Sequence, residues 1–278
     1  MATISSCAII VSSFDGYSDA WLPFFTLFFK YWPECPYSIY LISNGKTYPD
    51  PRVRPIIIKE DAGWAGNLKY ALTQVPDSHV LYMQEDYFLD RPAQAGRIES
   101  LFATMLAEGA AYLRLFPTPS PRVAWTKDPS LGLGVIGQKD PYRTSLQAGF
   151  WDKSVLDALL IPGESGIAFE EAGSVRSESV GKPFFSVQAG ALFPYDQSAP
   201  LRYIATGIMK RKWNRSVIPL FKREGIAADY SKREFESRAN AAQRKLASLP
   251  LIGKPIKWLF RQYYRAKSLA KKLYEKVA

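Results

Sequence analysis

Residues 80–90, VLYMQEDYFLD, decide how the rest of this chain is read. Four apolar residues lead into the adjacent carboxylates Glu85 and Asp86, and the chain turns apolar and aromatic again directly after them. A short apolar run bounded by polar residues reads as a core strand. Carboxylates at the mouth of such a strand are costly to bury unpaired. A metal ion, a network of sugar hydroxyls or an arginine would each answer that need. The plainer alternative is a surface turn between strand and helix.

Working outward toward the N-terminus, residues 8–11 form a compact apolar strand that ends in the polar loop SSFDGYSD. Asp19 is placed to cap a helix that carries Phe24, Phe25, Leu27 and Phe28 inward, with Pro23 in its first turns. Residues 38–42 read as a second strand, stopped by the turn signal Ser43-Asn44-Gly45, and residues 53–58 as a third. A helix is expected over 64–72, preceded by Asp61 and Gly63, and the fourth strand over 80–83. Strand, helix, strand, strand, helix, strand predicts an α/β sheet with crossovers. In such sheets ligands sit beyond the carboxyl ends of the strands. The polar loops 12–15, 44–46 and 84–86 all fall there.

Downstream, Pro92 opens a helix to about residue 108, with Ile98, Leu101, Phe102 and Leu106 as its apolar stripe. A strand over 111–116, the proline-rich loop PTPSPRVAW and a short glycine-punctuated stretch over 131–136 follow. Residues 151–160 read as helix, IPGESGIAFEEAGSVRSE as a polar connection, and 184–193 as the last element of the body.

A chain of 278 residues suits one large α/β domain with additions, or two small domains, and 47% hydrophobic residues supply ample core. Only Cys7 and Cys35 are cysteines, so a disulfide framework is unsupported and a reducing compartment is expected. The single histidine, His79, excludes a His-rich metal centre or a His–His relay. The start, MATISSCAIIVSSFDG, lacks the basic n-region and long apolar run of a signal peptide. The aromatic run WLPFFTLFFKYW is interrupted by Pro23 and Lys30 and cannot span a bilayer. Net charge is +10 but uneven: residues 1–200 carry 16 basic and 21 acidic side chains, residues 201–278 carry 20 and 5. A mildly acidic body is joined to a strongly basic C-terminal region, separating a catalytic part from a docking part.

Several chemistries lose their usual anchor. There is no GxxxxGK[ST] loop, no GxGxxG after the first strand, no HExxH, CxxC or GxSxG. Carboxylate chemistry remains. In a loop, Glu85 and Asp86 can both turn toward one ligand, one taking a divalent cation (Mg2+ or Mn2+) and the other orienting a hydroxyl. Such an ion would offset charge on a leaving diphosphate. Glu164, Glu170 and Glu171 form a second acidic group, in which a glutamate beside aromatic surface can act as general base. A solvated acidic loop is the competing reading. Arg143 and Arg176 are placed either to bind phosphate or an acidic acceptor, or to pair with these glutamates.

The segments SSFDGY, LISNG, WAGNLKYAL and VLYMQEDYFL together resemble a bacterial glycosyltransferase of the GT-A type, and YRTSLQAGFW and PGESGIAFEEAGSVRS resemble its acceptor half. The resemblance covers roughly residues 6–195. It implies a GT-A-like, Rossmann-type mixed sheet flanked by helices, and transfer of a sugar from a nucleotide-sugar donor to a glycan or lipid-linked acceptor in surface polysaccharide or lipopolysaccharide assembly. It divides the chain into a catalytic domain over 1–200 (nucleotide-sugar half 1–92, acceptor half 93–200) and a basic helical extension over 201–278. By position it puts Ser12, Ser13 and Asp15 near the nucleotide, and Trp64 and Asn67 beside its base or ribose. Glu170 becomes the inverting base, with Glu164 its runner-up, and Glu85 and Asp86 take the place of the family's Asp-x-Asp metal and diphosphate motif. The spacing residue of that motif is missing here. A non-catalytic carbohydrate-binding or scaffold protein of a polysaccharide assembly complex is the alternative.

From residue 255 the chain reads PIKWLFRQYYRAKSLAKKLYEKV, with Ile256, Leu259, Phe260, Tyr263, Ala270, Leu273 and Val277 mostly along one helix face and lysines and arginines on much of the rest. This is the pattern of a helix lying on an anionic membrane surface. Packing against the body or a partner protein competes with it. Nucleic-acid binding is the least favoured reading, since the charge comes without a reading module. The upstream run KREGIAADYSKREFESRANAAQRK is expected to be a helical connector. Together these features place the protein in the cytoplasm, peripheral to the inner face of the membrane.

Overall fold

The six residues of β1 (Cys7–Ser12) are buried on both faces, so this strand lies at the heart of the sheet. In the computed structural model, which describes residues 6–189 and 199–241, β1 pairs in parallel with β2 (Ser38–Ser43) and with β4 (His79–Gln84). β3 (Val53–Ile57) extends the parallel set beyond β2. β5 (Phe88–Leu89) leaves the main sheet, which continues with β6 (Tyr112–Arg114), β7 (Val123–Ala124), β8 (Leu133–Val135), β9 (Gly149–Asp152) and β10 (Phe184–Val187). The spatial order is β3-β2-β1-β4-β9-β6-β10-β8-β7, with β9 antiparallel to both β4 and β6. This is the expected mixed sheet flanked by helices.

Alternation along the strands divides the core into two layers. Ile9, Val11, Leu81 and Met83 face α1 (Ser18–Tyr31) and α3 (Ala95–Ala107), while Ala8, Ile10, Val80 and Tyr82 face α2 (Gly63–Gln74) and α4 (Lys153–Leu159). No helix among the described residues is long and apolar enough to cross a membrane.

Several expectations need correction. The helix expected over 151–160 is a strand followed by a helix. Phe150 and Trp151 project into opposite core layers, as strand neighbours must, and Asp152 then caps α4 by accepting from the Ser154 and Val155 N–H groups. The polar connection over 161–178 contains a helical run from Gly166 to Ser179, capped by Ser165 and widened to a π-turn over Phe169–Gly173.

The third correction concerns where the body ends. Expected over 184–193, its last strand is β10, and residues 190–193 lie outside the described residues. Residues 199–241 then return to the body. They form β11 (Tyr203–Ile204) on β5, the hairpin β12 (Ile208–Met209) and β13 (Lys212–Trp213), and α5 (Val217–Glu224). Leu201, Tyr203, Trp213, Val217, Leu220 and Phe221 are fully buried in the layer containing α1 and α3. At about 1.5–3 kcal/mol per large apolar side chain, this segment is core. Among the described residues the expected helical connector is interrupted: α5 stops at Gly225, whose φ of 66° lies in the left-handed region, an extended stretch bridges Phe235 to Trp213, and helix resumes only over residues 238–241. The amphipathic stretch from residue 255 lies outside the described residues.

Candidate active site

The parallel strands β1, β2 and β4 end on one side of the sheet, and a cleft of about 360 Å³ opens there. The loop after β1 contributes Ser12, Ser13, Phe14 and Tyr17, and β2 contributes Ile42. The entrance of α2 adds Asp61, Gly63, Trp64 and Asn67, and the end of β4 adds Gln84 and Glu85. A second depression, about 610 Å³, lies at the opposite end of β4 around His79 and Asp152. Two of its carboxylates are already neutralised by Lys182–Asp152 and Lys69–Asp157 ion pairs. The carboxyl-end cleft is where open α/β sheets bind ligands.

Its walls are pre-set by hydrogen bonds. Trp64 donates its indole N–H to the Tyr82 hydroxyl at 3.2 Å and its ring lies 5.4 Å from that of Phe169. Asn67 accepts from the Ala62 N–H and donates to Asp61 Oδ1, which also accepts from the Gly63 N–H. Both polar atoms of Asn67 are thus engaged within the α2 entrance, which leaves Asp61 as the more available polar group. Ser13 accepts from the Trp21 indole at 2.7 Å. Asp15, expected near a nucleotide, does not line the cleft. It accepts from the Asn44, Gly45 and Lys46 N–H groups, lacing the β1 loop to the β2 loop. Although burial works against it, these bonds hold its carboxyl below the ordinary range.

Glu85 and Asp86 are both buried, but only Glu85 lines the cleft. Asp86 faces the C-terminal hairpin: its Oδ2 accepts from the Ile208 N–H at 3.0 Å and its carbonyl from the Gly207 N–H at 3.0 Å. A Cβ at Gly207 would collide with the Phe88 ring and the Asp86 carbonyl oxygen, so this close approach requires glycine. Burial, then the neighbouring Asp86 charge, pushes Glu85 well above the carboxylate range. Burial likewise raises Asp86 to about 6.

The adjacent pair therefore does not fit a two-carboxylate metal motif. One member is committed to β12, and among the described residues no group of three His, Cys, Asp or Glu side chains stands ready to hold an ion. The cation found nearby is Arg233, one of the three answers the sequence left open. Its guanidinium pairs with Asp19 at 2.6 and 2.7 Å, and its charge partly offsets those of Glu85 and Asp86. Asp19 makes no helix cap.

The glutamates of the second group are not brought into the same cleft. Glu164 is held by Arg176 at 2.6 and 2.8 Å, which selects the pairing alternative for that arginine. Glu170 Oε1 accepts from the Ser145 hydroxyl and the Leu146 N–H, and Glu170 lines a separate depression of about 230 Å³ with Tyr142, Glu171 and Glu178. Phe169, next to Glu170 in sequence, packs its ring on Trp64 of the cleft. Arg143 donates to the Ile136 carbonyl and lies over the Phe184 ring, pairing with none of these glutamates. Sequence reasoning placed Gln84 in the cleft only as part of the loop over 84–86, and missed Tyr17 and Arg233. A charged Asp19 at the head of the aromatic-rich helix α1 was the signal that a distant cation was needed.

No protein-family model matches this chain, and no curated protein matches it. Among solved structures, S. aureus TarS 1-349 is matched at 10% identity over 66% of this chain and 60% of that one, with a TM-score of 0.42. The same protein in complex with UDP-GlcNAc gives 11% identity over 86% and 70%, with a TM-score of 0.43. CMP:2-keto-3-deoxy-manno-octonic acid synthetase complexed with CTP gives 14% over 81% and 99%, also at 0.43. This chain thus spans about 60% of the length of the first TarS structure. These likenesses are weak and assign no activity to it.

Proposed function

We propose that this protein is a glycosyltransferase that moves a sugar from a nucleotide-sugar donor to a carbohydrate or lipid-linked glycan acceptor, with inversion. The observation that carries the reading is the carboxyl-end cleft, which sets aromatic and apolar surface (Phe14, Ile42, Trp64) beside a buried carboxylate, Glu85. Flat apolar walls with a few fixed polar groups suit a nucleoside. Transfer would run as a single displacement. The acceptor oxygen bonds to the anomeric carbon, the bond from that carbon to the diphosphate oxygen breaks, and the diphosphate leaves with the electron pair. The acceptor proton passes to a carboxylate. Glu170 is the proposed base, because Ser145 and Leu146 fix its Oε1 and leave Oε2 for that proton. Glu164, already bound by Arg176, is the weaker choice.

Membrane-surface docking through the basic stretch from residue 255 belongs to the same reading, since an acceptor on a membrane lipid makes such placement useful. Donor turnover by E170Q and by E85A/D86A, assayed with an authentic acceptor, tests the mechanism. Each is expected to fall by roughly 100-fold or more. Near-wild-type rates in both would sink it.

A further inference from the structure

We infer that Arg233 is a positioning residue of the cleft, holding its Phe14–Tyr17 wall in place from the C-terminal part of the chain. The inference rests on the reading of the cleft as a nucleotide-sugar site and adds to it a group contributed from more than 200 residues downstream of that wall.

The contacts are specific to a guanidinium. Nε and Nη2 of Arg233 donate to the two oxygens of Asp19 at 2.7 and 2.6 Å, a fork on a carboxylate. Nη2 also donates to the Gly16 carbonyl at 2.9 Å, and the guanidinium carbon lies 4.3 Å from the centre of the Tyr17 ring. Gly16 is the middle of the turn Asp15–Tyr17; Phe14, just before that turn, and Tyr17, its last residue, both line the cleft. One side chain therefore grips the backbone of the wall, covers the back of one of its rings, and anchors both to the first turn of α1.

Arg233 is itself held in register. The Trp213 N–H donates to the Glu234 carbonyl at 2.8 Å and the Glu236 N–H to the Trp213 carbonyl at 2.9 Å, so the residues on either side of Phe235 are bridged to β13. Lys232 donates to the Ser18 hydroxyl at 3.3 Å, adding a second tie to the same turn of α1. The Asp19 and Arg233 side chains are 0% and 7% exposed. A pair this dry is kept only with good geometry, because each charge left alone would be stranded. Lysine keeps the charge but loses the fork and the flat face against Tyr17.

The test uses the full chain. Binding of UDP, GDP and CDP is titrated by calorimetry for the wild type, R233K, R233A and M105A, with thermal unfolding of each. Met105 is buried on α3 and does not line the cleft, so M105A calibrates lost stability alone. R233K is expected to unfold within a few degrees of wild type and to bind the preferred nucleotide about tenfold more weakly. M105A is expected to lose stability and keep its affinity. If R233A folds, added guanidinium should restore its binding, whereas the same concentration of sodium chloride should not. Wild-type affinity in R233K overturns the inference, as does equal weakening in R233K and M105A at equal loss of stability. Should the wild type bind none of the three, nor ADP, the nucleotide-sugar reading itself fails.

Discussion

Burial separates the roles of two carboxylates that are adjacent in sequence. Glu85 lines the cleft, whereas Asp86 commits Oδ2 to the Ile208 N–H and its carbonyl to the Gly207 N–H. Removing the Asp86 side chain leaves the buried Ile208 N–H without its acceptor, a loss of about 1–3 kcal/mol. D86A is therefore expected to lower the urea midpoint clearly. E85Q, which removes the ionisable group but keeps the shape, is expected to leave the midpoint near wild type and to abolish donor turnover. The reverse pattern would show that the two have been assigned the wrong way round. The sequence made the acidic pair legible because an apolar strand announces itself and carboxylates at its end stand out. It could not say which of the two faces a ligand, since that depends on a hairpin more than 100 residues away. Arg233 was illegible for the same reason, as its partners Asp19 and Gly16 are 214 and 217 residues off.

At the scale of elements, the strands that read most clearly were β1, β2 and β4, whose runs are buried almost throughout. β9 was hidden because it is four residues long and runs directly into the helix that Asp152 caps. The short strands β11 to β13 were equally hidden. Two-residue strands carry no periodicity, and β11 pairs with the distant β5. The attachment of α5 offers a test. Glu224 accepts from Lys30 and Tyr31 of α1 and from Arg223 beside it. These bonds, led by that from Lys30, bring its carboxyl down to about 2. A carboxyl held below its ordinary value stabilises the fold fully above that value and ceases to do so as pH falls through the folded one. Stability in urea is expected to fall as the pH drops from about 5 to 2, and E224Q should flatten that slope. An unchanged slope in E224Q would remove the α1–α5 tie from the account of acid stability.

At the scale of the whole molecule, the uneven charge does not coincide with a structural boundary. The basic region begins near residue 201, yet residues 199–241 supply buried side chains, the anchor for Asp86 and the hold on the cleft wall. A separable docking element is therefore expected only further on. Deleting residues 252–278 should abolish sedimentation with anionic liposomes while leaving nucleotide binding intact. Sedimentation that survives the deletion would place membrane attachment elsewhere or nowhere. The nucleotide-sugar reading rests on the cleft at the carboxyl ends of β1, β2 and β4. Calorimetric titration of the wild-type chain and W64A with UDP, GDP, CDP and ADP tests it most directly. One nucleoside diphosphate should bind the wild type with a Kd on the order of micromolar, and W64A should weaken it at least about tenfold. Absence of binding by all four, or equal binding by W64A, would contradict a nucleotide-sugar site there.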